Sequence, residues 1–165
     1  KIPLPSELLH DNSTPDYLEK IVKQANLGNS NVQFEIDEQV IVDSAKSISY
    51  VLSRLKIKGF GLGVSVKENP DEILSLLNKL PIDELTLNMA DDRFRPGQID
   101  DAETEYQVAS FVSYVSGVNL VASVKNVLNK QQMDFAKRCK FLKASGRFIR
   151  EPGSADEIRE YFGKI

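Results

Sequence analysis

Cysteine and histidine are nearly absent from this chain of 165 residues: Cys139 and His10 each stand alone. One thiol allows no internal disulfide and no cysteine-rich zinc site, and a reducing compartment is the simplest home for it. One imidazole supplies neither a histidine metal cluster nor a Ser-His-Asp triad, and His10 reads as a surface residue. Cys139 falls between Arg138 and Lys140, charges that would lower a thiol pKa. With no histidine near it in sequence, a structural thiol is the favoured reading. Long apolar runs are missing too. None approaches the roughly 20 residues of a membrane span, and no signal-peptide pattern opens the chain. The expectation is a cytoplasmic segment without membrane contact. A large excess of one charge sign is also lacking: 21 Lys and Arg against 24 Asp and Glu give −3. That argues against nucleic-acid binding by net charge and leaves room for a local basic face. The first residue is Lys1 rather than Met, so the chain reads as a fragment.

What is present is the balance of an ordinary folded domain, 41% hydrophobic and 27% charged, expected as a single unit over residues 1–165. A helix is expected from about Pro15 to Ala25. The alternation Val32-Gln33-Phe34-Glu35-Ile36 predicts a strand. Asp43 is expected to open a helix with Ile48, Val51, Leu52 and Leu55 inward, stopped by Gly59. Phe60 to Val66 reads as a second strand. Asn69-Pro70-Asp71-Glu72 reads as a helix start, with Ile73, Leu74, Leu77 and Leu80 on its inner face. Glu84 to Asn88 is a third strand, followed by a polar loop through Asp101. A helix from about Ala102 to Ser116 buries Val108, Phe111, Val112 and Val115. Asn119 to Ser123 is a fourth strand. Asn129 caps a helix carrying Met133, Phe135 and Ala136, and Phe141-Leu142-Lys143 is a short fifth strand. Ser154 and Glu157 form a capping box for a last helix carrying Ile158, Tyr161 and Phe162.

Strands separated by single helices imply parallel βαβ units. Two α/β architectures fit: an open doubly wound sheet, or an incomplete (β/α)8 barrel, whose usual size is about 250 residues. The glycines at 59, 61 and 63 lie at the start of a strand, the wrong place for a phosphate cradle. Close backbone packing is the favoured reading.

Four segments together resemble EAL-type cyclic di-GMP phosphodiesterases. Phe34-Glu35-Ile36-Asp37-Glu38 resembles the Leu-Glu-x-Thr-Glu segment of that family, and Leu55 through Gly59 the Leu-x-x-x-Gly that follows. Leu80-Pro81-Ile82-Asp83-Glu84-Leu85 resembles the Leu-Pro-Val-Asp-Glu-Leu before the family's Lys-Ile-Asp. Ser145-Gly146 through Pro152 resembles its Gln-Gly…Lys-Pro element. Order and spacing hold from about Ile2 to Phe162. The resemblance implies a (β/α)8 TIM-barrel-like fold, here its C-terminal two-thirds. The family's first strand and its Glu-Ala-Leu segment would lie upstream of Lys1, leaving an open seam of strand edges.

The family's chemistry uses two divalent ions that activate a water against a phosphodiester. Carried over residue by residue, its first glutamate of Glu-x-Thr-Glu is kept as Glu35. Its Asp-Asp pair falls on Ser65 and Val66. The lysine and aspartate of Lys-Ile-Asp fall on Thr86 and Asn88. The first glutamate of Ala-Glu-Gly-Val-Glu falls on Ser123, and the glutamine of Gln-Gly on Ser145. The asparagine of the early Asn-Leu-Ser falls near Pro3. One carboxylate cannot hold two hard dications against water, so the expectation is no catalytic residue, no metal, no cofactor and no phosphodiesterase activity. Glu35 could be a lone general base; a polar group of the barrel mouth is the favoured reading.

The loops after the strands carry cations: Lys67, Arg93, Arg95, Lys125, Arg147 and Arg150. One reading is an anion site that needs no metal, since Arg offers a bidentate fork to phosphate or carboxylate. The favoured reading is pairing with nearby acids such as Asp91, Asp92, Asp100 and Asp101. Those acids, with Glu103 and Glu105, lack the spacing of a calcium loop. Two functions follow from the resemblance. The first is an inactive EAL-like regulatory domain of a bacterial signalling protein, acting on a regulatory protein partner or on the rest of its own multidomain chain. The second is a receptor that binds cyclic di-GMP or a related nucleotide without cleaving it. Family members often dimerise through elements near the third strand and its loop, here about Thr86 to Asp101, so a homodimer is possible.

Overall fold

The structure is a computed structural model that describes residues 1–67, 70–77 and 79–162. Six strands form one parallel sheet: β1 (Ile2–Pro3), β2 (Gln33–Asp37), β3 (Gly61–Val66), β4 (Glu84–Asn88), β5 (Val121–Lys125) and β6 (Lys143–Ala144). The helices are α1 (Ser6–Leu9), α2 (Thr14–Gln24), α3 (Glu38–Ile57), α4 (Pro70–Leu77), α5 (Ala102–Gly117), α6 (Lys130–Arg138) and α7 (Ala155–Phe162). Spatial strand order equals chain order. A doubly wound sheet reverses its order at a switch point, and no reversal occurs here. The barrel reading is the one the chain adopts.

Alternation divides each strand between two environments. Phe34, Ile36, Leu62, Val64, Val66, Leu85, Leu87, Ala122 and Val124 are buried in one apolar core with the helices. Into it α3 puts Ile48, Val51, Leu52 and Leu55, and α5 puts Val108, Phe111, Val112 and Val115, as their spacing predicts. The opposite face carries Gln33, Glu35 and Asp37 on β2, Gly61, Gly63 and Ser65 on β3, Glu84, Thr86 and Asn88 on β4, and Ser123 and Lys125 on β5.

The sheet is strongly curled. β1 lies three strand spacings from β4, about 14 Å along a flat sheet. Yet the Lys1 ammonium beside β1 and the Lys143 ammonium of β6 both bind the Glu84 carboxylate of β4. Only a sheet bent toward closure brings both edges to one central side chain.

Several boundaries differ from the expectation. Helix α3 begins at Glu38, five residues before Asp43, because Asp37 caps it by accepting a hydrogen bond from the Gln39 amide. Strand β5 starts at Val121 rather than Asn119. Asn119 is left-handed (φ 60°) and closes α5, with Leu120 N–H donating to the Val115 carbonyl. Strand β6 is Lys143–Ala144, starting two residues beyond the expected Phe141, although Leu142 N–H already donates to the Ala122 carbonyl. Strand β1 and helix α1 are additional elements, too short to show a period. The loop after β4 is not wholly polar: Met89, Phe94 and Ile99 are buried. The buried Gln132 amide of α6 anchors it by donating to the Met89 and Phe94 carbonyls.

The capping box of α7 is formed both ways between Ser154 and Glu157. Its Ile158 is 41% exposed rather than inward. Asn69 of the expected start of α4 lies outside the described residues, as do the side chains of Pro70, Asp71, Glu72, Leu77, Tyr161 and Phe162.

Gly146, with φ +154°, presses against the backbone of the loop after β5: a Cβ there would sit 2.2 Å from the Val127 nitrogen. Backbone on both sides leaves no flexible atom to yield. Gly146→Ala should therefore cost at least about 2 kcal/mol in a urea melt; a variant as stable as the parent would contradict this contact.

Candidate functional site

The inward polar face forms two layers. The lower one centres on Glu84, whose side chain is 1% exposed. One carboxylate oxygen takes the Lys1 ammonium and the other takes Lys143 Nζ at 3.0 Å and the Gln33 amide at 3.0 Å. Lys1 also donates to Thr86 Oγ1 at 2.7 Å and to Ser123 Oγ at 3.3 Å, and Ser123 donates to Thr86 at 2.9 Å. Glycine makes room for this arrangement. A Cβ at residue 61 would lie 3.1 Å from the Gln33 side chain, and one at residue 63 would lie 3.2 Å from its amide nitrogen. The glycines thus serve the close packing expected of them. Burial pushes the Glu84 carboxyl up, but hydrogen bonds from Lys1, Ser123, Gln33 and Lys143 overcome it and hold the pKa at about 2.

The upper layer lies at the carboxyl ends of the strands. Here the Lys125 ammonium of β5 binds the Glu35 carboxylate of β2 across the intervening strands. Lys67 pairs with Asp37 at 2.6 Å, and its backbone N–H donates to Glu38 at 2.6 Å. Asp37 is pulled down by Lys67, the Gln39 amide and Lys125 together, against the opposing effect of burial, which is the largest single influence. Asn88 Oδ1 accepts from the Asn126 amide at 2.8 Å. Ser65 Oγ is buried without a hydrogen-bond partner. Its neighbour Val66 faces the other way, into the apolar core. Ser145 Oγ donates to the Val124 carbonyl at 3.4 Å, so it serves the backbone of β5.

The remaining cations named from sequence do not converge on the same point. Arg93 donates to Asp91 at 3.1 Å and to the Lys67 carbonyl, which ties its loop to the mouth. Arg95 pairs with Asp92 at 2.5 Å on the exposed side of that loop. Arg147 lies 3.6 Å from Glu151, and Arg150 donates to the Glu157 carbonyl. Of the acids in this region, Asp101 caps α5 and Asp100 accepts from Gln131. Among the described residues no three His, Cys, Asp or Glu side chains gather as a metal site. His10 is exposed. Cys139 is buried, and burial, reinforced by Glu105 and opposed by Arg138, pushes its thiol up to about 11. That thiol is inert at neutral pH.

Sequence reasoning missed Glu84 as the hub of the interior and Lys1 as its partner. The signal was the alternation itself: Glu84, Thr86 and Asn88 are the polar members of a strand whose apolar members are Leu85 and Leu87.

Holding a carboxyl near 2 instead of 4.5 corresponds to about 3 kcal/mol in favour of the ionised form. The folded value lies below the unfolded one, so this stability is present above about pH 4.5 and is lost as pH falls toward 2. Glu84→Gln should therefore cost about 3 kcal/mol at pH 7, with a gap to the parent that narrows between pH 4.5 and 2. Chemical denaturation across that range checks it; a gap independent of pH would refute it.

Comparison with known proteins agrees with this geometry. No curated protein sequence matches the chain. Among solved structures, the EAL domain of Mycobacterium smegmatis DcpA superimposes with a TM-score of 0.84 at 20% identity, covering 99% of this chain and 71% of that one. The FimX EAL domain from Pseudomonas aeruginosa, bound to c-di-GMP, gives 0.80 at 15% identity, covering 92% and 61%. The PaMucR phosphodiesterase, in complex with c-di-GMP, gives 0.77 at 19% identity, covering 94% and 62%. The chain thus spans about three-fifths of the last two. The family model for the EAL domain matches residues 1–152, and the chain belongs to the EAL domain family.

Proposed function

We propose that this chain is a catalytically inactive EAL domain of a bacterial cyclic di-GMP signalling protein, a single unit over residues 1–165 that acts in the cytoplasm through protein–protein contact. The observation that carries this reading is the Lys125 ammonium on Glu35. Glu35 is the one carboxylate kept among the family positions aligned from the sequence. The others hold Ser65, Val66, Thr86, Asn88, Ser123 and Ser145.

The donor set does not fit a pair of divalent ions. Ions of this kind want several charged oxygens each. Here Thr86 and Ser123 are hydrogen-bonded to one another and to Lys1, and Val66 offers no donor. A dication about 5 Å from the Lys125 ammonium would be repelled by about 7 kcal/mol at an effective dielectric of about 20. The partner in this reading is a regulatory protein, the rest of the same polypeptide or a second copy of the chain.

The test is incubation with cyclic di-GMP and Mg²⁺ or Mn²⁺. The expected result is no cleavage above a blank, together with recovery of a defined partner when the domain is used as bait. Metal-dependent turnover would overturn the reading. A second reading, a receptor that holds the nucleotide intact, draws on the c-di-GMP found with the FimX and PaMucR domains. Calorimetric titration separates the two: micromolar binding without turnover favours the receptor.

A further inference from the structure

We propose that the free edge of β6 is a docking site for an extended segment of a partner protein in which acidic and apolar side chains alternate. This rests on the reading of the domain as a module of protein–protein contact and names the chemistry of the partner. Among the described residues β6 pairs only with β5, and β1 only with β2. Both ends of the curled sheet therefore present unpaired backbone, a template for another strand. The two edges are not equivalent. Pro3 lies in β1, and a proline without an N–H blunts an edge. Strand β6 is Lys143–Ala144 and has no such block.

Charge selects the inward side of the docked segment. Glu84 is one carboxylate holding two ammonium groups, from Lys1 and Lys143, and its third partner, Gln33, is neutral. The layer above is balanced, with Lys125 on Glu35 and Lys67 on Asp37. One positive charge is thus in excess in the lower layer, beside the β6 edge. The Lys143 side chain is 55% exposed, so an incoming carboxylate reaches it without breaking the pair with Glu84. Apolar surface selects the outward side. Leu142 continues the buried row of Val64, Leu85 and Ala122 but is itself 74% exposed. Alternation along a strand then puts an acid beside Lys143 and apolar residues on either side of it. A second copy is the poorer occupant: two β6 edges would bring Lys143 against its own like charge.

The probe is a dye-labelled peptide of about seven residues in which Val and Glu alternate, titrated with the purified chain and read by fluorescence anisotropy. The parent is expected to bind it about tenfold more tightly than the same peptide with Gln in place of Glu. The chain carries −3 overall, so its mean field opposes this preference and cannot create it. Lys143→Gln is expected to remove the preference. Leu142→Ser, at an exposed position that folding does not depend on, is expected to weaken both peptides. Equal affinity of the parent for the two peptides would overturn the proposal. So would a folded Lys143→Gln that keeps the preference, a Leu142→Ser that binds as the parent does, or a dimer seen by sedimentation that excludes the peptide. Cleavage of cyclic di-GMP by a chain that still discriminates the peptides would overturn the proposed function and support this docking site.

Discussion

A buried carboxylate shared by the two edges of a sheet is the constraint on which this structure turns. Glu84 sits on β4, and its two oxygens take ammonium groups from beside β1 and from β6. A buried acid without partners would neutralise itself. With two lysines and an amide on it, this one stays charged and demands that both edges bend inward to reach it. Removing one partner of such an arrangement costs far more than the pair contributes over an apolar substitute. The cluster therefore specifies curvature more than it adds stability. The apolar face, in turn, has only to follow: helices cover the convex side because Phe34, Leu62, Leu85 and Ala122 point there.

The same rule governs the mouth one layer up. Glu35 and Asp37 are matched by side-chain cations from other segments, Lys125 and Lys67, and Asp91 by Arg93 two residues along its own loop. The interior is thus a stack of internally balanced pairs. A site meant to hold dications leaves its carboxylates uncompensated until the ions arrive. That contrast, rather than a count of missing residues, is the physical support for the proposal that this barrel is a scaffold without the family's chemistry.

Much of this was legible in the sequence, for definite reasons. The central strands alternate cleanly, and the buried stripes of α3 and α5 repeat at helical spacing, so periodicity located them. The spacing of Glu35, Leu80 to Leu85 and Gly146 carried the fold. Other features had no local signature. Strand β1 has two residues and α1 has four, too few for any period. Asp37 lies one residue past the expected strand, yet it both ends β2 and caps α3, so the helix starts five residues before the expected Asp43. The two ion pairs that matter most join residues 83 and 90 positions apart. No pattern along the chain announces them; they exist only once the sheet has curled. The exposure of Leu142 (74%) and Ile2 (51%) at the two sheet edges is likewise a property of the assembled sheet, since the same outward row is covered wherever a strand has neighbours on both sides.

The most direct measurement is an anomalous-difference map from crystals grown in millimolar MnCl₂. The predicted result is no manganese peak at Glu35 and clear density for the Lys125 ammonium within hydrogen-bonding distance of its carboxylate. A manganese ion bound to Glu35, with Lys125 turned away, would contradict the conclusion that this barrel carries its own cation.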